Sequence, residues 1–379
     1  MPISDILSYP YRYVAWNMVG IGDYKKLPFV PICKSGEPFS FPVSTTTWDP
    51  ETIRYRHKGK ACEANLNTFL DQTGTTALII IKSGEIVFEA YGNGYTENSI
   101  NTSFSVAKSI TSLLIGIALE EGLLASVHDS IKTYLPDLPE HYENITVHHL
   151  LNMCSGLSFE EGIWPWKDDP LIYYGTDLRS RAHRAKLLEE PGTVYHYNNY
   201  NLLLLGLLLE KVTGTSPATY MQKKIWSRLG AEADASWSAD SKGSMFAKME
   251  SGFNATAKDF AKLAFLCLNK GRFRGQQLVP EKWLQETFNP PSIQPDTKKY
   301  LAKRVPPLCQ WAASGKGFYH NLWWGYKIGQ DVYDTFALGV LWQLLYLAPR
   351  KDTVIVRFGK KWGNVDWWPQ VLKEIVDDL

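Results

Sequence analysis

The sequence predicts an α+β protein in which an antiparallel sheet is flanked by helices and joined to a mostly helical second lobe. Three observations carry this. An apolar, β-branched run over Thr75 to Ala90 is interrupted by the turn signal Lys82-Ser83-Gly84-Glu85. Helical periodicity then dominates from Ser103 to about Asn289. Strand signals return at Trp323 to Ile328, Phe336 to Leu347 and Thr353 to Phe358. Strands, a long helical insertion and strands again imply that the early hairpin and the late strands share one sheet. The expected domains are an irregular arm over residues 1–74, a sheet domain over 75–104 and 320–379, and a mostly helical domain over 105–319.

The arm is expected to be irregular because its first seventy or so residues are rich in Pro, aromatic and turn residues without a sustained period. Ala77-Leu78-Ile79-Ile80-Ile81 and Ile86-Val87-Phe88 then form the two sides of the hairpin. Ser103 to Gly122 is the strongest helix: Thr102 or Ser103 can cap it, apolar residues recur at Val106, Ile110, Leu113, Leu114, Ile117 and Ala118, and Gly122 closes it. Ile145 to Leu151, Asn201 to Val212, Tyr220 to Trp226 and Ala257 to Asn269 are the next helices. The last two strands are joined by the turn Ala348-Pro349-Arg350-Lys351-Asp352, and Asp366 to Leu379 reads as a final helix.

The 379 residues suffice for one large domain or two closely packed ones, and 45% hydrophobic with 21% charged residues is ordinary for a globular chain. A net charge of +1 with scattered Lys and Arg argues against nucleic acid or an anionic membrane as partner. Five cysteines (Cys33, Cys62, Cys154, Cys267, Cys309) stand far apart, so neither a disulfide framework nor a zinc site is expected, and Cys267 reads as a core residue. His148, His149 and His183 lack carboxylate or cysteine neighbours at metal spacing. No metal and no cofactor are expected. No eighteen-residue apolar stretch occurs, and Met1 to Leu27 lacks the charged-then-apolar order of a signal peptide. A soluble chain is expected, with a cytoplasmic location slightly favoured over export with a removed leader or anchor. The oligomeric state is left open.

Ser105-Val106-Ala107-Lys108 is the only S-x-x-K in the chain, and it opens the strongest helix. At i and i+3 the hydroxyl and the ammonium share a face. A serine needs a base to act as a nucleophile, and a desolvated lysine can lose its proton near neutral pH. A helix N-terminus adds N–H groups and a positive dipole end where an oxyanion develops. The alternative is a capping serine with a lysine in solvent. No G-x-S-x-G, P-loop or dinucleotide fingerprint occurs.

Ser103-Phe104-Ser105-Val106-Ala107-Lys108-Ser109-Ile110-Thr111-Ser112 resembles the nucleophile segment of the class C β-lactamase-like serine hydrolases. That group spans β-lactamases, D-Ala-D-Ala carboxypeptidases, esterases and 6-aminohexanoate-dimer hydrolases. The likeness continues through Ile145 to Leu157, Tyr197 to Gly206 and Ala255 to Ala261, covering about Thr75 to Gly359 in family order. It implies a β-lactamase/transpeptidase-like fold with the site between sheet and helical lobe.

Such sites pair the S-x-x-K with Y-x-N, a spelling met here at Tyr91, Tyr142, Tyr197 and Tyr319. Tyr197-Asn198-Asn199 is chosen because it precedes an apolar helix ending in Leu205-Gly206, as the family's segment does. A phenol beside an ammonium has its pKa lowered, so Tyr197 can shuttle a proton between Ser105 and the leaving group. Asn199 can hold Lys108 and a substrate amide. The alternative for Tyr197 is a place in an aromatic cluster with Tyr195 and Tyr200. The third family element, K-T-G or His-x-Gly on a strand, binds the substrate carboxylate and completes the oxyanion hole. Lys82-Ser83-Gly84 spells it but lies in a hairpin turn before the nucleophile. The similar stretch is Phe336-Ala337-Leu338-Gly339-Val340-Leu341-Trp342-Gln343, where Val340 replaces the cation and Trp342 the glycine. A backbone N–H near Gln343 can still serve the oxyanion, and alternation along a strand would put Val340 and Trp342 on one face. Tyr173 or Tyr174 could bind a substrate amide and Asp177 an amine, unless their loop packs for its own sake.

These residues imply hydrolysis of an ester or small linear amide through an acyl-enzyme on Ser105, assisted by Lys108 and Tyr197. The lost carboxylate clamp leans towards the 6-aminohexanoate-dimer hydrolase and esterase branch. The alternatives are a β-lactamase or D-Ala-D-Ala carboxypeptidase, and a catalytically weak binding or scaffold protein whose cleft Trp342 obstructs.

Overall fold

A computed structural model describes residues 3–16, 18–292, 294–298, 311 and 314–379; Cys309 lies outside them. The chain begins with α1 (Ile3–Trp16), β1 (Phe29–Ile32), a hairpin of β2 (Thr52–His57) and β3 (Lys60–Asn65), and α2 (Leu66–Gln72). Then come β4 (Thr75–Lys82), β5 (Glu85–Tyr91), β6 (Ile100–Thr102) and α3 (Val106–Glu120). The helical stretch holds α4 (Ile131–Tyr134), α5 (Val147–Leu151), α6 (Asp168–Tyr173), α7 (Leu178–Ala182), α8 (Asn199–Thr213) and α9 (Pro217–Lys224). Strands β7 (Ala235–Ser238) and β8 (Phe253–Thr256) lead to α10 (Ala257–Leu268), the short β9 (Arg272–Phe273) and β10 (Gln276–Gln277), and α11 (Glu281–Thr287). The end is β11 (Gly317–His320), β12 (Trp323–Gly329), β13 (Val332–Gly339), β14 (Gln343–Ala348), β15 (Thr353–Gly359) and α12 (Trp368–Asp378).

The fold is α+β. A seven-stranded antiparallel sheet runs β11-β12-β13-β14-β15-β4-β5, so the early hairpin joins the late strands through the β15–β4 ladder, with Val356 opposite Ile79. Every residue of β15 is buried, as is β4 up to Lys82, because helices cover both faces. The helix α3 is buried on all sides from Val106 to Ala118, its mostly apolar sequence carrying Lys108, Ser109, Thr111 and Ser112 into the interior with it. Gly116 is what lets it pack so closely, since a Cβ there would sit 2.4 Å from the Trp283 ring.

Three expectations need correction. The N-terminal arm is not irregular: α1 docks through Tyr13 and Trp16 edge-on to Tyr174, and β1 pairs with β7. Pro10 inside α1 and a pairing partner some two hundred residues away hide both elements from a local reading. The helical region also contains strands, since β7 and β8 form a second sheet in the order β1-β7-β8-β6. Finally, Phe336 to Leu347 is two strands, β13 and β14, folded back at Val340–Trp342, where Leu341 and Trp342 both have φ of 61°.

Candidate active site

Strand β6 delivers the chain to Ser103 and Phe104, immediately before α3. Phe104 adopts a left-handed φ of 44° with its ring buried, a conformation that costs free energy and persists only when packing enforces it. Ser105 stands at the N-cap position of α3, yet its hydroxyl makes no capping bond. Thr102 and Ser103 do not cap either; their hydroxyls donate to the carbonyls of Ile21 and Phe104. The N–H groups of Val106, Ala107 and Lys108 donate to the carbonyls of Ser103, Phe104 and Ser105. The first-turn donors are therefore occupied, contrary to expectation, whereas the Ser105 N–H has no acceptor among the described residues.

One turn into the helix, Lys108 is buried, and its Nζ donates to Ser105 Oγ at 2.9 Å and to the Glu250 carbonyl at 2.9 Å. Burial lowers its pKa from 10.5 to about 7, against the upward pull of Glu250 and Asp169. A large share of Lys108 is then a free amine at neutral pH, one hydrogen bond from the serine. The Tyr197 ring lies beneath this nitrogen, 4.9 Å from it, and its phenol hydrogen-bonds Ser105. Contrary to expectation, the Tyr197 pKa is raised: burial dominates, and the bond to Ser105 offsets it only in part. Tyr197 thus stays protonated, whereas Lys108 is the group that can be uncharged near neutral pH. The ring also packs against Tyr319 and Trp324, at centroid distances of 6.2 and 5.8 Å, so an aromatic cluster and proximity to the serine coexist. Tyr142, which shares the Y-x-N spelling, instead donates to the carbonyls of Ala182 and Ala185 in the core.

Ser105, Lys108, Tyr197 and Asn199 all line one cavity of about 1410 Å³, whose wall is completed by α1, the loop before α6, Glu250, Ser251 and Val340. A family model described as Beta-lactamase matches residues 63–355.

The chain belongs to the beta-lactamase family.

It is 24% identical over 318 residues to the 6-aminohexanoate-dimer hydrolase of Paenarthrobacter ureafaciens, covering 80% of this chain and 76% of that one. The likeness to penicillin-binding protein 4* of Bacillus subtilis is 28% over 162 residues, 39% of this chain and 35% of the other. The fold matches that of a proposed 6-aminohexanoate-dimer hydrolase of Bacillus anthracis with a TM-score of 0.76 at 24% identity, over 97% and 93% of the two chains. Within the beta-lactamase family, both the sequence and the fold of this chain are thus similar to those of 6-aminohexanoate-dimer hydrolases.

Within the beta-lactamase-family site, several side chains take places the sequence does not indicate. Asn199 does not hold Lys108. Its Nδ2 lies 3.4 Å from Asp169 Oδ1, and its buried Oδ1 has no partner among the described residues. Asp169 itself, which sequence reasoning missed, accepts from the Gly162 N–H at 3.0 Å and has its pKa raised by burial. Glu250 was also missed; its carbonyl holds Lys108 while its carboxylate pairs with buried Lys248 at 2.8 Å. Tyr173 and Tyr174 both line the cavity; the Tyr173 hydroxyl donates to Asp23 at 2.9 Å, and the Tyr174 ring packs on α1. Asp177 caps α7.

The β13–β14 connection departs most from expectation. Because Val340–Trp342 is a turn, strand alternation does not apply there. Val340 lines the cavity, whereas the Trp342 ring turns edge-on to Trp362 and Trp367 and does not line it. Trp362 is the tryptophan at the cavity wall. Gln343 is buried behind the turn, its side chain bridging the Val340 and Gly359 carbonyls. What faces Ser105 is Gly339: a Cβ there would lie 2.5 Å from the Ser103 carbonyl oxygen and 3.2 Å from the Ser105 nitrogen. Fully buried Arg357 fixes the turn by donating to the Leu341 and Trp342 carbonyls at 2.7 and 3.0 Å, and it also reaches Thr73 and Thr75. Among the described residues, no group of three or more His, Cys, Asp or Glu could hold a metal ion, and no helix is long and apolar enough to cross a membrane.

Proposed function

We propose that this chain hydrolyses esters or small linear amides through an acyl-enzyme on Ser105. The observation that carries the reading is the Lys108–Ser105 hydrogen bond, made by a lysine whose pKa burial has brought to about 7. Neutral Lys108 takes the Ser105 proton as Oγ attacks the carbonyl carbon. Tyr197, protonated and bonded to Ser105, relays a proton to the leaving alkoxide or amine and is reprotonated through Lys108. The oxyanion is met by the Ser105 N–H and by backbone at Gly339–Val340, in place of Gln343. Water, activated by the same lysine, then attacks the acyl carbonyl, and Ser105 leaves with its proton restored.

β-Lactams are disfavoured as substrates. Their carboxylate would meet Val340, and Lys167, which with Lys108 makes up the lysines lining the cavity among the described residues, is tied to Glu160 at 2.7 Å. A missing charge-assisted hydrogen bond costs about 1.5–3 kcal/mol, roughly one to two decades in rate. The test compares p-nitrophenyl esters, aminohexanoate oligomers and nitrocefin on the unmodified protein, with Val340→Lys in parallel. The esters or oligomers should be turned over and nitrocefin barely, with Val340→Lys narrowing the gap. Efficient nitrocefin turnover by the unmodified protein would move the assignment to the β-lactamases.

A further inference from the structure

Five large apolar side chains line the cavity and are nonetheless open to water: Val14, Met18, Ile163, Leu188 and Trp362, from 51% exposed for Trp362 to 75% for Val14. They come from four separate stretches of chain, namely α1 with Met18 two residues beyond it, the loop before α6, the loop before α8, and the segment after β15. Scattered exposed apolar residues need no explanation, but five converging on the mouth of one cavity do. The rim is also held in place. Arg12 donates to the Asp240 carbonyl at 2.6 Å, and the Tyr13 hydroxyl to the Ile163 carbonyl at 2.9 Å, tying α1 to the loop that carries Ile163. Beside Ile163, the rings of Trp164 and Trp166 stack at 5.6 Å, each more than half exposed, and extend the apolar surface outward.

The charged groups inside the cavity narrow what this surface can hold. Carboxylates outnumber lysines along its wall, so an anionic group is opposed. Those carboxylates are engaged within the protein, Glu160 with Lys167, Glu250 with Lys248, and Asp169 with Gly162 and Asn199 among them. The rim itself is hydrocarbon and indole. An uncharged alkyl chain extending from a carbonyl at Ser105 towards solvent would cover these side chains and leave no charge unpaired.

We propose that the substrate's acyl part is an uncharged alkyl chain of medium length, seated on the rim formed by Val14, Met18, Ile163, Leu188 and Trp362. This rests on the acyl-enzyme reading of Ser105 and names the substrate class for it. Full burial of one methylene is worth about fourfold in kcat/KM, and a chain on a half-open rim gains roughly twofold per methylene, on the order of fifty-fold from acetate to octanoate. The experiment measures kcat/KM for monomeric p-nitrophenyl acetate, butyrate, hexanoate, octanoate and 6-aminohexanoate. In the triple variant Met18→Ser, Ile163→Ser, Leu188→Ser, the octanoate-to-acetate ratio should fall to within about fivefold of one. Val43→Ser, a change at an exposed apolar residue away from the cavity, should keep the native ratio. Thermal unfolding and fluorophosphonate labelling at Ser105 check that each variant is folded. A flat chain-length profile in the native protein, an unchanged ratio in the triple variant, or preference for 6-aminohexanoate over hexanoate would each overturn the proposal. Those results leave the hydrolase reading standing. No turnover of any ester, with no labelling at Ser105, would overturn both.

Discussion

Replacing Lys108 with Met should remove activity and stabilise the protein, and the stabilisation should depend on pH. Methionine has nearly the same length and no charge, so it fills the site beneath Ser105. Burial holds the native Lys108 pKa at about 7, against 10.5 in the unfolded chain. The sign follows directly. Between pH 7 and 10.5 the unfolded state binds more protons than the native state, so stability rises with pH across that window and is lowest below pH 7. A difference of about 3.5 at about 1.4 kcal/mol per unit makes the penalty about 5 kcal/mol at pH 6, falling to about 2 kcal/mol at pH 9. Against this stands the Glu250 carbonyl, which loses its bond from Lys108 at a cost of about 1–3 kcal/mol. Lys108→Met should therefore be more stable than the parent by about 2–4 kcal/mol at pH 6, with that margin shrinking by about 3 kcal/mol at pH 9. Urea unfolding of both proteins at the two pH values reads the margin, and ester hydrolysis should fall by about 10²–10⁴-fold. The parent's kcat/KM should rise with pH through a midpoint near 7, as the amine is freed. A margin that does not change between pH 6 and pH 9, or a parent profile flat through pH 7, would refute the buried free-amine reasoning.

Asp169→Asn removes a carboxylate that pulls the Lys108 pKa upward, so the acidic limb of the kcat/KM profile should move to lower pH; a limb that stays or moves up contradicts the assignment. Arg357→Met leaves the Leu341 and Trp342 carbonyls without their buried donor, in a turn where both residues hold a positive φ. It should lower kcat by more than tenfold with little change in KM, and Arg357→Lys should recover part of it. Equal rises in KM at constant kcat would show that Arg357 does not act through the backbone facing Ser105.

What was readable in the sequence was local. Ser105 and Lys108 lie one turn apart on a single helix, so their proximity follows from spacing, and the apolar runs of β4 and β15 mark a sheet buried on both faces. Misread features depend on contacts between distant residues. Phe336 to Leu347 carries no Pro or Asn to announce a turn, and its left-handed residues are Leu and Trp, held there by Arg357 from another strand. The Glu250 carbonyl that holds Lys108 is backbone, and a backbone acceptor leaves no mark in residue identity. Asp169 sits at the start of a six-residue helix within a loop, with no periodicity to single it out. The Tyr197 pKa was inferred from a neighbouring ammonium, but the same burial that makes Lys108 a free amine also raises the phenol. One desolvated site thus explains both the lowered pKa of the lysine and the raised pKa of the tyrosine.

The central claim is that Ser105 carries the acyl group, and mass spectrometry of the protein quenched during turnover of a slow p-nitrophenyl ester tests it most directly. The account predicts a single acyl adduct on the peptide containing Ser105, absent from Ser105→Ala, which should have lost hydrolysis while its unfolding temperature is nearly unchanged. An adduct on another residue, or hydrolysis retained by Ser105→Ala, would contradict it.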